Sequence, residues 1–210
     1  LHPRVQQKAI EELHAVVGSG KLPAGEHIPQ LKYISAIVKE TLRWFPVAIN
    51  GFPHATPKED RYENFRIPKG ASIITAIWAA NYDEQCFTDP REFRPERHKD
   101  SSIHQSATAT NTEDCGFYSF GAGRRMCPGI HLAANAMTIF FARILWAFEI
   151  LPEIDVNGDP LPVDRDATVG TIFSFPAPFE CRFVPISLEK VALLRSEWDR
   201  LSDELLGEDQ

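Results

Sequence analysis

Apolar residues recur at helical spacing over residues 3–17, where Val5, Ala9, Ile10, Leu13, Val16 and Val17 fall on one face. Pro3 suits the first turn of such a helix and Gly18 supplies a stop. A loop with glycine and proline over 19–29 follows. The spacing predicts a second helix over 30–45, ended by Pro46. Its wheel carries two apolar faces. Leu31, Ile34, Val38, Leu42 and Phe45 make one; Tyr33, Ala36, Ile37 and Trp44 make another, nearly opposite. Glu40 falls in the middle of the second face, so its carboxylate is expected to be buried. Residues 46–60 hold several prolines and read as irregular. Tyr62–Ile67 and Ala71–Ile77 flank Pro68-Lys69-Gly70, which predicts a hairpin turning at those three residues.

Polar residues then dominate a long coil over 84–116, whose second half, 100–114, has the composition of a mobile surface loop. The strongest helical pattern covers 128–148. Nearly every face of it is apolar, with a narrow polar stripe at His131, Asn135 and Thr138, as in a helix buried in a large core. It is long enough to span a bilayer, but His131, Asn135 and Arg143 would be costly in lipid. Short strands are predicted around Val169–Phe175 and Glu180–Val184, and an amphipathic helix over 187–206 closes the pattern. The count of elements gives a mainly α fold with small β-sheets.

Composition narrows the function classes. Hydrophobic residues make up 43% of the 210 and charged residues 24%, a globular balance. The formal net charge of −7 argues against a nucleic-acid partner, which selects a basic surface. The four cysteines, at 86, 115, 127 and 181, form no C-x-x-C pair, and free thiols in a reducing compartment are expected. The sequence opens at Leu1 without a signal-peptide pattern and reads as the middle of a longer protein.

One thiol has unusual surroundings. Residues 120–129 read FGAGRRMCPG. A free thiol has a pKa of about 8.5, and helix N-termini, cations and metals favour its anion. Cys127 stands where the long helix begins, with Pro128 fitting the first helical position, Arg124 and Arg125 nearby, and Gly121, Gly123 and Gly129 freeing the backbone. A nucleophile would need a paired base, and His131 points along the helix. A zinc site would need ligands beyond Cys115, His98 and His104, whose spacing is wrong. A small buried hydrophobe is the commonest fate of a lone cysteine. A single thiolate facing open space also suits a metal whose other ligands come from a macrocycle.

The ten residues FGAGRRMCPG resemble the cysteine-ligand loop of the cytochromes P-450, with Phe120, Gly121, Gly123, Arg125, Cys127 and Gly129 in the family's positions. The resemblance implies that Cys127 ligates haem iron, that Arg125 contacts a haem propionate and that Phe120 packs near the sulfur. Glu40 and Arg43, at i and i+3 in KETLR, resemble the family's E-x-x-R signature, and FRPERH at 93–98 places Arg97 as the third member of a structural triad. The family usually carries an aromatic where this chain has His98. His54, in GFPHAT, lies where a basic residue reaches a propionate, and Val47, Ala48, Ile49, Thr171 and Ile172 match substrate-facing segments.

The resemblance covers essentially residues 2–186, leaving 187–210 as a helical tail, and implies the carboxy-terminal half of the P-450 fold. It also implies haem b as cofactor, O2 and a small apolar organic substrate, electrons from an NADPH-dependent reductase, and a monooxygenase reaction. The segment pattern looks like that of eukaryotic, fungal microsomal members. The parent is then expected at the cytosolic face of the endoplasmic reticulum, held by a part preceding Leu1. The family's oxygen-activating acid–alcohol pair would also precede Leu1. No catalytic residue is identified in the 210, and the isolated chain is expected to have little turnover. A non-catalytic haem-binding remnant and a P-450-fold enzyme that rearranges substrates without a reductase are the alternatives.

Overall fold

The structure, a computed structural model, describes residues 2–98 and 117–207. The loop expected over 100–114, with His104 and Cys115, lies outside them. Helix α1 (Pro3–Val16) buries Ala9 and Leu13, as its periodicity requires. Helix α2 (Lys32–Trp44) follows a single 3₁₀ turn at Gly25–Gln30. Leu31 precedes α2 and gives it no side-chain cap. The Glu12 carboxylate of α1 takes that role, accepting the Tyr33 and Ile34 amides at 2.7 and 2.9 Å. An anion on the positive end of a helix is favourable in itself, and here it also fixes the angle between two helices.

The hairpin expected at Pro68–Gly70 is corrected. Strand β2 (Asp60–Tyr62) pairs with β3 (Phe65–Ile67), and the chain turns at Glu63, which adopts a positive φ of 51°. Strand β1 (His54–Ala55) pairs with β4 (Ser72–Ile73) instead. Pro68–Gly70 does make a turn, closed by the Ala71 amide on the Pro68 carbonyl, but it joins two different sheets. Ile77, read as the end of a strand, opens the short helix α3 (Ile77–Asn81).

The long helix α4 covers Ile130–Ala147, with Gly129 as its cap, so Pro128 precedes the helix and is not its first residue. Ala142, Leu145, Trp146 and Ala147 join Ala9, Leu13, Leu31, Ile34 and Ile37 in the main core. The expectation of a helix buried in a large core but for a narrow polar stripe is corrected on one side: Leu132 is 77% and Phe140 62% exposed. The helix is long and apolar enough to cross a membrane by length and composition, and it packs by its buried side on α1 and α2.

After α4 the chain forms β5 (Phe148–Pro152), which the hydrophobic pattern did not separate from the helix. The Gln6 amide of α1 both donates to and accepts from the Ile150 backbone at 2.8 Å, copying a neighbouring strand. Strand β8 (Cys181–Pro185) pairs on its other edge, and β6 (Thr168–Gly170) forms a hairpin with β7 (Ser174–Pro176). Helix α5 (Leu188–Gly207) lays Leu193 and Leu194 on the core. Its Lys190 ammonium is buried, donates to the Trp146 carbonyl at 2.9 Å and lies 4.7 Å from the Trp146 ring centre.

Candidate functional site

Two constellations predicted from sequence share helix α2. The first is built on Glu40, which is completely buried, as is Arg43. A buried carboxylate needs every lone pair occupied, and this one accepts five hydrogen bonds. Arg43 donates to it from Nε (2.8 Å) and Nη2 (2.9 Å), Arg97 from Nε (3.1 Å), the Arg94 amide at 2.8 Å and His98 from Nε2 at 2.8 Å. The first pair is bidentate and comes from one turn of the same helix. Arg43 also donates to the Asn81 and Pro90 carbonyls, and Arg97 to those of Thr88, Asp89 and Glu92. The two guanidiniums thus clamp the irregular segment 88–92 to α2 and α3. Burial by itself would push the Glu40 carboxyl up; the hydrogen bonds from Arg43, His98 and the Arg94 amide hold it at about 2 instead.

The second constellation is the loop ahead of α4. Gly121 and Gly123 adopt φ of +77° and +66°, a region that favours glycine. The Gly121 amide returns to the Tyr118 carbonyl at 2.8 Å, and the Cys127 amide closes the loop on the Phe120 carbonyl at 2.9 Å. Cys127 is exposed, two residues before the first residue of α4's cap-to-helix junction at Gly129–Ile130. Arg124 and Arg125 form a single 3₁₀ turn with Gly123 and are exposed. Phe117 and Phe120, rings 6.1 Å apart, pack with Leu42, Met137 and Phe141 against buried Val38, Ile130 and Ala134. The Ser119 hydroxyl donates to the Leu42 carbonyl at 3.0 Å, so α2 carries both the loop and the Glu40 cluster. Lys39, also buried on α2, lies 5.4 Å from the Phe117 ring centre, and its burial lowers its pKa to about 8.

The remaining predicted residues divide. His54 lies on β1 and is exposed. Val47, Ala48 and Ile49 are joined to the late hairpin by the Ser174 amide, which donates to the Val47 carbonyl at 2.7 Å. Phe52 and Phe173 meet edge to face at 5.9 Å across the same junction. The two segments matched as substrate-facing, far apart in sequence, are therefore one surface, on which Val47, Thr171 and Ile172 are exposed. Of the described cysteines, Cys127 and Cys181 are free and Cys86 is disulfide-bonded, which corrects the expectation of four free thiols. Sequence spacing reports local frameworks and is silent on a bond that the fold closes. Among the described residues, no group of three or more His, Cys, Asp or Glu is placed to hold a metal ion, so zinc has no ligand set there.

The hairpin depends on Gly170. Its φ is +107°, and a Cβ there would sit 2.0 Å from the Phe173 carbonyl oxygen. Gly170→Ala is expected to force the 171–173 turn open and cost roughly 1–3 kcal/mol. Gly158, with φ of +90° but no atom near its Cβ position, is the control for strain alone. Urea midpoints that fall equally for alanine at both positions would show that the close approach has no cost.

His98 was legible only as a departure from a pattern. Its signal was position: one residue after Arg97, in a segment expected to meet a buried carboxylate, a ring nitrogen replaces a hydrocarbon edge.

Comparison with known proteins agrees with this geometry. The Cytochrome P450 family model matches residues 1–169. Cytochrome P450 monooxygenase yanC of Aspergillus niger is 38% identical over 99% of this chain, which covers 40% of that protein. Cytochrome P450 monooxygenase macC of Penicillium terrestre is 35% identical over 98% of the chain, covering 39% of its own length. A zebrafish cytochrome P450 solved with abiraterone superposes on 88% of this chain with a TM-score of 0.72 at 26% identity, over 40% of its own chain. The chain spans about two fifths of the length of these relatives. A loop that presents one free thiol at a helix start, an E-x-x-R pair completed by Arg97, and a match over most of the sequence identify the chain as a member of the cytochrome P450 family, whose cofactor is haem.

Proposed function

We propose that this chain forms the thiolate-bearing part of a haem monooxygenase that oxidises a small apolar organic substrate with O2 and electrons from an NADPH-dependent reductase. The observation that carries the reading is the free, exposed Cys127 thiol on a loop closed by its own amide and held to α2 through Ser119. The residues fit a porphyrin. One soft sulfur ligand is offered, with no group of competing donors around it among the described residues, apolar rings back the loop, and the flanking arginines are exposed and so open to carboxylates. Cys127 would bind the iron, Arg125 and His54 would pair with propionates, and Phe120 would shield the sulfur side from water. Gly121, Gly123 and Gly129 would let the backbone pass close to the sulfur. When bound, the haem supplies the dioxygen chemistry.

The rest of the chain orients the reactants. The joined surface of Val47, Ala48, Ile49, Thr171 and Ile172 would receive the substrate through apolar contact, with the Ser174–Val47 hydrogen bond fixing its shape. The Glu40–Arg43–Arg97 cluster would do no chemistry; it sets where α2 and the 88–98 segment stand relative to the cysteine loop. The parent protein's place is read as the cytosolic face of the endoplasmic reticulum, from the resemblance of its segment pattern to fungal microsomal members.

The test is the carbonyl spectrum of the reduced, haem-loaded parent protein. Thiolate ligation gives a strongly red-shifted Soret band. Cys127→Ser is expected to abolish that band, while Cys181→Ser, at the other free thiol among the described residues, is expected to keep it. A red-shifted band that survives Cys127→Ser sinks the proposal.

A further inference from the structure

We infer that His98 is a positioning residue for Glu40, acting as a neutral imidazole whose Nε2–H completes the carboxylate's five hydrogen bonds. The inference is independent of the haem reading, since it concerns only the buried cluster.

The charge balance around Glu40 carries it. Arg43 and Arg97 both contact the one carboxylate, so two cations already face one anion. A third hydrogen-bonded cation at His98 would be surplus, in a site where Glu40 and Arg43 are fully buried and His98 is 7% exposed. Lys39, buried on the adjacent position of α2, adds repulsion. On its own segment, Arg97 is already counted, and the other described charged side chains are turned elsewhere. Arg94 pairs with Asp89, and Glu96 is engaged by Lys8 and the Tyr33 hydroxyl. Charge is therefore the wrong contribution for His98 to make, and the useful one is an N–H.

Geometry then selects the tautomer. An ionised carboxylate accepts and does not donate. Glu40 is the ionised partner, so the nitrogen 2.8 Å from its Oε2 must carry the hydrogen. The neutral ring is the Nε2–H form. A phenyl or indole ring at this place would fill the same space and leave Oε2 with Arg43 Nε alone. The histidine thus replaces a purely apolar contact with a directed bond between segment 95–98 and α2.

The direction of titration follows. Burial lowers the His98 pKa from 6.5, Lys39 and Arg43 act in the same sense, and the Glu40 hydrogen bond opposes them without reversing the outcome. The unfolded chain therefore takes up a proton at this residue before the folded one does. The stabilisation is fully present above about pH 6.5 and is lost as pH falls toward the folded-state value.

Two measurements on the full chain decide it. The first is the imidazole nitrogen NMR spectrum of the unmutated protein across pH, with resonances assigned by replacing the other six histidines in turn. The Nε2–H tautomer is expected for His98, with the ring still neutral just below pH 6.5, the ordinary histidine value. A charged ring, or the Nδ1–H form, at neutral pH would overturn the inference. The second is urea unfolding of the unmutated chain and of His98→Gln, whose amide keeps a donor but does not titrate. Between about pH 7.5 and 5.5 the unmutated chain is expected to lose more of its folding constant than the variant, up to about tenfold, the limit set by protonation of an ordinary histidine in the unfolded chain. His2, whose pKa burial also lowers, titrates in both chains and cancels. His98→Phe should lose stability at every pH without that extra slope. Equal slopes for the unmutated chain and His98→Gln would sink the idea. If the glutamine variant does not fold, the spectrum of the unmutated chain decides alone.

Discussion

Glu40→Ala is expected to lower stability by about 3–5 kcal/mol, the usual cost of stranding one partner of a buried ion pair. The deletion removes the acceptor of five hydrogen bonds at once. Arg43 would stay fully buried beside no anion, since its other partners are carbonyl oxygens of Asn81 and Pro90. Single domains hold only about 5–15 kcal/mol in reserve, so the loss approaches global unfolding. Acid should produce a graded version of the same event. The Glu40 carboxyl sits at about 2 in the folded chain against 4.5 ordinarily. Its contribution is complete above about pH 4.5 and disappears as pH falls toward 2, about 3 kcal/mol in all. Urea melts of the unmutated chain and of Glu40→Ala and Glu40→Gln at several pH values check both statements. A loss below about 1 kcal/mol for Glu40→Ala at neutral pH would mean that the cluster bears little of the fold's stability.

Trp146→Ala is expected to cost about 3–5 kcal/mol, in the range for truncating a buried aromatic side chain. The indole is fully buried in the main core, where it meets residues of α1 and α2. Its Nε1–H also donates to the Gly18 carbonyl at 2.9 Å, tying α4 to the end of α1. Trp146→Phe keeps much of the volume and loses the hydrogen bond, so it should fall between the alanine variant and the original. Calorimetry or urea midpoints would separate the two contributions. If the phenylalanine variant is as unstable as the alanine one, the Gly18 bond matters more than the packing.

The hydrophobic pattern revealed the long helices because burial forces their period. Ala9 and Leu13 are where the α1 stripe put them, and Glu40 is buried as the wheel of α2 demanded. The pattern failed where the turn that decides pairing carries no glycine or proline, as at Glu63. Nothing in Asp60–Tyr62 announces that it, and not Ser72–Ile73, will receive Phe65–Ile67. The continuous apolar run through Phe148 hid the passage from α4 to β5, because no glycine, proline or polar residue stands at the Ala147–Phe148 junction to mark the end of the helix. The same run hid the exposed positions of α4, since a wheel whose polar stripe is so narrow cannot say how much of the apolar surface is covered. In the candidate site, the loop that carries Cys127, Arg125 and the glycines was legible as a local motif. The junction of Val47–Ile49 with residues 171–174 was not, being made by contacts across more than 100 residues of chain, the Ser174–Val47 hydrogen bond and the Phe52–Phe173 ring pair. His98 was visible as a letter and invisible as a contact.

The contact between Lys190 and Trp146 bears on where this protein can be cut. A chain ended near Ile186 would open one face of the indole, deprive the Trp146 carbonyl of its ammonium and uncover the seats of Leu193 and Leu194. Expression boundaries belong beyond Leu194, and proteases that nick ahead of Leu188 should release a core that precipitates.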